Sequence, residues 1–280
     1  MLIQLVKTVN LTTLPNYYYL IYAIMVSMKI VFPELTQNSI AQEAIQAFPD
    51  IEFFDAPDLG TAAEMLASSQ ADSLISGLDY SSRDVLLACK AHIPLKSPYF
   101  SSCFVGKKDG KYLIIADGGV NKQPNQDQLY TIVEDTARTC EEFLEETPKI
   151  AMLSYSTKGS GGKNPDLEKY YYVIDEIHRN HPDWHIDGEM QLDAAIIPRI
   201  GEKKIGASSV AGHANVLITP DLNSGNILYK SMEHLGGWIM AGPILQGFAT
   251  PIADLSRGST VEDVKLTIEV IKKQFERTTK

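Results

Sequence analysis

Cysteine is scarce in this sequence: three residues in 280, Cys89, Cys103 and Cys140, widely spaced and without a CxxC pair. An odd, scattered set excludes a disulfide framework, offers no zinc-ligand spacing, and suits a reducing, cytoplasmic setting. Positive charge is also short. Twenty-five Lys and Arg stand against 35 Asp and Glu, a formal charge of -10. Such a chain lacks the basic surface that nucleic-acid phosphates require, so any phosphorylated ligand must be held by a few local cations. The apolar run Tyr17–Val26 has ten residues, too few for a membrane span of about 20. Lys7 is the only basic residue before it and no A-x-A pattern follows it, so it also fails as a signal peptide. With Met28 opening the first strand, residues 1–27 are expected to be an extension outside the fold. There is no internal repeat, no low-complexity linker and no GxGxxG. Gly162-Lys163 is followed by Asn164 instead of Ser or Thr, which excludes a P-loop.

What is present is an ordinary core-forming composition, 44% hydrophobic and 21% charged. Ile30–Phe32, Ile51–Phe54 and Ser73–Ser76 read as strands, alternating with helices over Ser39–Phe48, Thr61–Ser68 and Ser81–His92. Further on, strands are expected at Lys111–Asp117, Ile150–Leu153 and Ala214–Ile218. Helices are expected at Gln126–Glu145, Leu167–Asn180, Asn226–His234 and after Val261. This alternation predicts a layered α/β fold on a mainly parallel sheet, with a domain boundary near Ser97.

Three Gly- and Ser-rich segments follow predicted strands, where open α/β sheets bind ligands. The first holds Ser156, Thr157, Lys158, Gly159 and Ser160, a set of hydroxyls, N–H groups and a lysine suited to phosphate or to a surface loop. The second carries Asn215 in its strand and Ser224, Gly225 and Asn226 at a helix start, where backbone donors would face a ligand. The third, Gly242 to Gly247, continues to Ser256-Arg257-Gly258-Ser259. Ser259 and Glu262 have the spacing of a capping box, and Asp263 lies in the first turn, where the helix dipole keeps a carboxylate ionised. Arg257 could equally pair structurally with Asp254 or Asp263. His178, His181 and His185 are interrupted by Pro182 and are read as a solvated helix end. The acidic stretch from Asp187 to Asp193 is read as capping a helix and lining a domain interface.

In order, AMLSYSTKGS (151–160), DGEMQLDAAIIP (187–198), VAGHANVLITPDLNSGNI (210–227), GPILQG (242–247) and DLSRGS (254–259) resemble the phosphate acetyltransferase family. The sister phosphate butyryltransferases are more distant around Ser256-Arg257-Gly258. The resemblance implies two Rossmann-like three-layer α/β/α domains, 28–96 plus 248–280 and 97–247, with the active site in the cleft between them. It also implies a homodimer through the second domain. The implied reaction joins acyl-CoA and phosphate reversibly to CoA and acyl phosphate, with coenzyme A as substrate and no metal or bound cofactor. The family's catalytic Ser-Arg pair falls on Ser256 and Arg257, and its catalytic Asp on Asp263. In those roles Asp263 takes the thiol proton, Arg257 holds phosphate and the developing oxyanion, and Ser256 positions the thiol. Proton transfer completed beforehand would cost ~6 kcal/mol across the gap between Asp and thiol pKa values, so it should accompany attack.

The chain departs from the family in three places. Leu87 stands where an Arg for the CoA pyrophosphate is usual, the stretch before Leu74 is short, and His213 replaces a Lys. Arg83, one turn before Leu87, is expected to take over the pyrophosphate contact. A non-catalytic homologue that binds phosphate or acyl phosphate is the alternative reading. A nicotinamide dehydrogenase is disfavoured by the missing GxGxxG.

Overall fold

The computed structural model describes residues 27–162 and 167–278. The extension expected over 1–27 falls almost wholly outside these residues, as does Lys163. The first half of the fold runs β1 (Lys29–Val31), α1 (Ser39–Ile45), β2 (Glu52–Phe54), α2 (Leu59–Ala67), β3 (Ser73–Ser76) and α3 (Ser82–His92). A hairpin of β4 (Ser101–Lys108) and β5 (Lys111–Ala116) precedes α4 (Gln126–Phe143). Then come β6 (Lys149–Leu153), α5 (Glu168–Asn180), β7 (His185–Met190), α6 (Leu192–Ile196), α7 (Pro198–Lys204) and β8 (Val216–Ile218). The chain closes with α8 (Leu222–His234), β9 (Ile239–Gln246), β10 (Ile252–Asp254) and α9 (Val261–Thr278).

Local chemistry accounts for the helix starts. Asn38, Asp58, Ser81 and Asp221 each accept a backbone N–H from the first turn of α1, α2, α3 and α8, satisfying donors that the helix itself leaves unpaired. Asn125 and Gln128 form a reciprocal capping box on α4. That helix buries Leu129, Ile132, Val133, Ala137 and Cys140, the helical period of its apolar positions.

The strands form one ten-stranded sheet in the order β2-β1-β3-β10-β9-β4-β5-β8-β6-β7. It is built from two parallel blocks, β2-β1-β3-β10 and β5-β8-β6-β7. Antiparallel β9 and β4 join them. Helices cover the blocks, and one apolar cluster contains residues of both, among them Ile30 and Ile75, Ile150 and Val216, with Val264 and Ile268 of α9.

Three expectations need correction. The segment Gly242–Gly247 is largely a central strand and not a strand-end loop. Between the pairs Cys103–Ile244 and Val105–Ala241, the two residues Gly242 and Pro243 oppose the single residue Phe104. This is a bulge, which bends a strand and tolerates a proline without an N–H. The acidic stretch 187–190 is the end of β7, so Asp187 and Glu189 cap no helix. The histidines are a solvated end only in part: His178 and His185 are exposed as expected, but His181 stacks on Trp184, ring centroids 3.9 Å apart, and contacts Glu134 at 3.0 Å.

Candidate functional site

A cleft of about 230 Å³ opens where the C-terminal ends of β3, β5 and β10 meet the start of α8. At the end of β10, Leu255 N–H donates to the Ser76 carbonyl. This fixes the exit of the Ser256-Arg257-Gly258-Ser259 turn, which is closed by Ser259 N–H on Ser256 O at 2.9 Å. Ser256 and Arg257 line the cleft. Among the described residues none forms an ion pair or hydrogen bond with the Arg257 guanidinium, so the structural pairing with Asp254 or Asp263 does not occur.

Opposite stands the turn after β5, a site the sequence reading missed. Asp117 is buried. Its Oδ1 accepts from Ser102 Oγ at 2.5 Å, Gly119 N at 3.0 Å and Val120 N at 3.1 Å. Its Oδ2 accepts from Asn121 N and Nδ2. One carboxylate therefore shapes the whole Gly118-Gly119 wall of the cleft. The Asp-Gly-Gly run at a strand end was the available signal.

Helix α8 supplies Asn226, Tyr229 and Lys230 to the cleft. Asn226 Nδ2 donates to Gly118 O at 3.2 Å, and Tyr229 stacks on Phe104 with centroids 3.7 Å apart. Lys230 Nζ lies 4.9 Å from the Tyr229 ring centroid. Lys230 follows Asn226 by four residues, and that spacing could have revealed it. Gly225 serves packing: a Cβ there would stand 2.1 Å from Asp117 O. Ser224 donates its N–H and hydroxyl to the capping Asp221, and lines a neighbouring cavity of about 410 Å³ with Tyr155 and Lys169.

The remaining expected site residues are not brought to the cleft. Asp263 is buried at 2% exposure. Its Oδ1 accepts from Met240 N at 2.7 Å, and its Oδ2 from Thr260 N at 2.8 Å and Thr260 Oγ1 at 2.6 Å. With Thr260 it forms the capping box expected of Ser259 and Glu262. Ser156, Thr157, Lys158, Gly159 and Ser160 fold back onto the end of β7. Ser156 Oγ and Gly159 N donate to Glu189 Oε1 at 2.8 and 2.6 Å, and Lys158 Nζ pairs with Asp187. Thr157 Oγ1 accepts from Gln191 N, and Ser160 Oγ from Thr157 N. Burial pushes the Glu189 carboxyl up, but the bonds from Gly159, Tyr171 and Ser156 outweigh it and hold its pKa down. Asn215 precedes β8, at the strand end away from the cleft. It accepts from Lys149 N and donates to Thr147 O and Glu146. Arg83 is exposed on α3, whose Ser82 lines the cleft in its place, and Leu87 is 55% exposed on the same helix.

The cleft thus offers two cations, Arg257 and Lys230, beside hydroxyls and glycine backbone. That is an anion-binding surface in an acidic protein. One acid backs it: Asp254 has its pKa raised to about 7, chiefly by burial, with Ser82 lowering it and Glu34 raising it. Among the described residues no group of three or more His, Cys, Asp or Glu could hold a metal ion, and no helix is long and apolar enough to cross a membrane.

Residues 52–271 match the family model described as Phosphate acetyl/butaryl transferase. The chain is 40% identical over 215 residues to a phosphate acetyltransferase of Treponema pallidum, covering 72% of this chain and 63% of the relative. It therefore spans less than two thirds of that relative's length. It is 36% identical over 243 residues to a phosphate acetyltransferase of Corynebacterium glutamicum, covering 85% of this chain and 71% of the relative. A phosphotransacetylase structure from Streptococcus pyogenes superposes with TM-score 0.77 at 29% identity, over 90% of this chain and 94% of that one.

Proposed function

The chain belongs to the phosphate acetyl/butaryl transferase family, and from that premise we propose that it transfers a short acyl group reversibly between CoA and inorganic phosphate. The observation that carries this reading is the unpaired Arg257 guanidinium beside Ser256, facing Asn226 and Lys230 across one cleft. Arg257 holds the phosphate and the charge that grows on the attacked carbonyl oxygen. Lys230 adds a second cation for the phosphoryl oxygens. Ser256 orients the sulfur. At about 230 Å³ the cleft suits the reacting end of the substrates, with the rest of CoA lying outside it. Arg83 contributes to the pyrophosphate contact from the rim, on the exposed face of α3. The loop from Ser156 to Ser160 is held against the end of β7, next to Tyr155, which shares a cavity with Ser224 of α8. Asp263 sets the start of α9 through its bonds to Thr260 and Met240.

The reading extends to assembly and place. The lobes 28–96 plus 248–280 and 97–247 act as two units around the cleft. The protein works as a homodimer through the second lobe, where Ile227 and Leu235 of the α8 region are 65% and 87% exposed. It resides in the cytoplasm, consistent with three free, buried cysteines.

The test is phosphate-dependent release of CoA thiol from a panel of acyl-CoAs. Burial raises the pKa of all three protein thiols, to about 12 for Cys89 and Cys140, so a thiol reagent reads CoA and not the protein. Release from at least one acyl-CoA is expected. Binding of phosphate without release from any of them would mark a non-catalytic homologue.

A further inference from the structure

One rim of the cleft is acidic. It is formed where the chain leaves β1, β2 and β3, at the C-terminal edge of the first parallel block. Asp55 follows β2, Asp58 caps α2, Asp79 follows β3, and Asp84 lies in the first turn of α3. Their hydrogen-bond partners are uncharged. Asp55 accepts from Thr36 and from Ala56 N at 2.7 Å, and Asp58 from Thr61 N at 2.8 Å. Asp79 accepts from Asn38 Nδ2 at 3.2 Å, and Asp84 from Ser81 Oγ at 2.6 Å. Among the described residues no cation pairs with any of these carboxylates. Their field reaches the cleft. Burial raises the pKa of the Tyr80 hydroxyl, which lines it, and Glu34, Asp58, Asp55 and Asp79 raise it further.

Little positive charge opposes them. Apart from Arg257, which faces the phosphate, Arg83 is the sole Lys or Arg in the stretches 32–39, 54–59 and 76–84 that form this edge. One turn beyond Arg83, α3 presents Leu87, 55% exposed. Lys90 lies further along that helix, 5.8 Å from the Phe100 ring centroid. Across the cleft Lys230 serves the phosphate, Lys158 pairs with Asp187, and Lys169 donates to Pro124 O at 3.1 Å. Lys122 is left on that side. CoA brings an uncharged pantetheine arm into the cleft and carries its anionic pyrophosphate and 3′-phosphate outside it. Exposed like charges repel over a Debye length, about 10 Å at 0.1 M salt and about 30 Å at 0.01 M.

Resting on the acyl-transfer reading above, we propose that the cleft recognises its thiol substrate through the pantetheine arm alone, so that unphosphorylated pantetheine thiols are used as well as CoA. The reaction itself is unchanged. The acyl carbon exchanges the bridging oxygen of acyl phosphate for sulfur, and the thiol proton ends on the departing phosphate. Binding energy from a remote part of a substrate can be used at the reacting centre. Here the acidic rim offsets what Arg83 contributes, and the nucleotide supplies no such energy.

The experiment measures thiolysis of acetyl phosphate by CoA, dephospho-CoA and pantetheine in the full chain at low and moderate salt. The three kcat/KM values should agree within about tenfold. Raising salt from about 10 to about 150 mM should lower KM for CoA about two- to fivefold, by screening the rim, and leave KM for pantetheine unchanged. The double variant D58N/D79N, in which Asn keeps the cap on α2, should lower KM for CoA at low salt by a similar factor. Its kinetics with pantetheine should match the wild type. A preference for CoA over pantetheine above about a hundredfold overturns the proposal, because the nucleotide would then be gripped. So does a KM for CoA that stays flat or rises with salt, and that measurement needs no variant. A wild-type chain that turns over none of the three thiols overturns the acyl-transfer reading and this proposal with it, whereas turnover with a strong CoA preference overturns the proposal alone.

Discussion

Gly225 lies so close to Asp117 that no side chain fits between them: a Cβ would come within 2.1 Å of the Asp117 carbonyl oxygen. This contact seats the first turn of α8 on the Gly118-Gly119 turn, and so places Asn226 and Lys230. Gly225→Ala must push α8 away from β5. Forced overpacking costs about 1–3 kcal/mol, measurable by urea unfolding. Activity should drop further than stability alone accounts for, because both α8 side chains leave their places.

Arg257 and Lys230 should separate kinetically. Arg257→Ala removes the donor for developing charge, and a loss of about 10²–10³ in kcat is expected. Arg257→Lys should recover only part of it, since a point charge replaces a planar fork. Lys230→Ala should act mainly on KM for phosphate. Steady-state kinetics of the three variants checks this, and an unchanged kcat in Arg257→Ala would remove the guanidinium from the chemistry.

Asp263→Asn should behave as a structural lesion. Its carboxylate takes three donors, and an amide sets an N–H against one of them, which costs about 1–3 kcal/mol. The melting temperature should fall, and kcat/KM should fall with it. The shape of the pH–rate profile should persist. Wild-type stability together with a lost ionisation would instead make Asp263 the base.

Asp254 should also leave a mark on stability. Its folded pKa, about 7, is raised above the ordinary value of 3.8, so the folded state binds the proton more tightly. The resulting stabilisation is full below about pH 4 and disappears as pH rises through 7. Three units correspond to about 4 kcal/mol at most. Urea unfolding between pH 4.5 and 8 should show stability falling with pH in the wild type, with a flatter profile in Asp254→Asn.

The parallel blocks were legible in the sequence because short apolar strands alternate with capped, periodic helices. Ser256 and Arg257 were legible because they sit on a turn at a strand end. The antiparallel strands were not. β9 carries Gly242 and Pro243, which read as a loop until the bulge opposite Phe104 accommodates them. The surroundings of Asp263 were hidden for a similar reason: a first-turn carboxylate looks free in a sequence, whereas here the β9 backbone at Met240 donates to it. Lys158 pairs with Asp187 across 29 residues, a contact no local pattern announces. Asp254 escaped notice because its unusual proton affinity comes from burial between distant strands.

β10 fills the gap between β3 and β9, yet it comes from the last stretch of the chain. Until residues 252–254 arrive, both neighbours present open rows of backbone donors and acceptors. A chain cut after β9 would therefore lose Ser256 and Arg257 and also expose two adhesive margins. Such a fragment should self-associate, so its insolubility would report on the missing strand and not on a weak core.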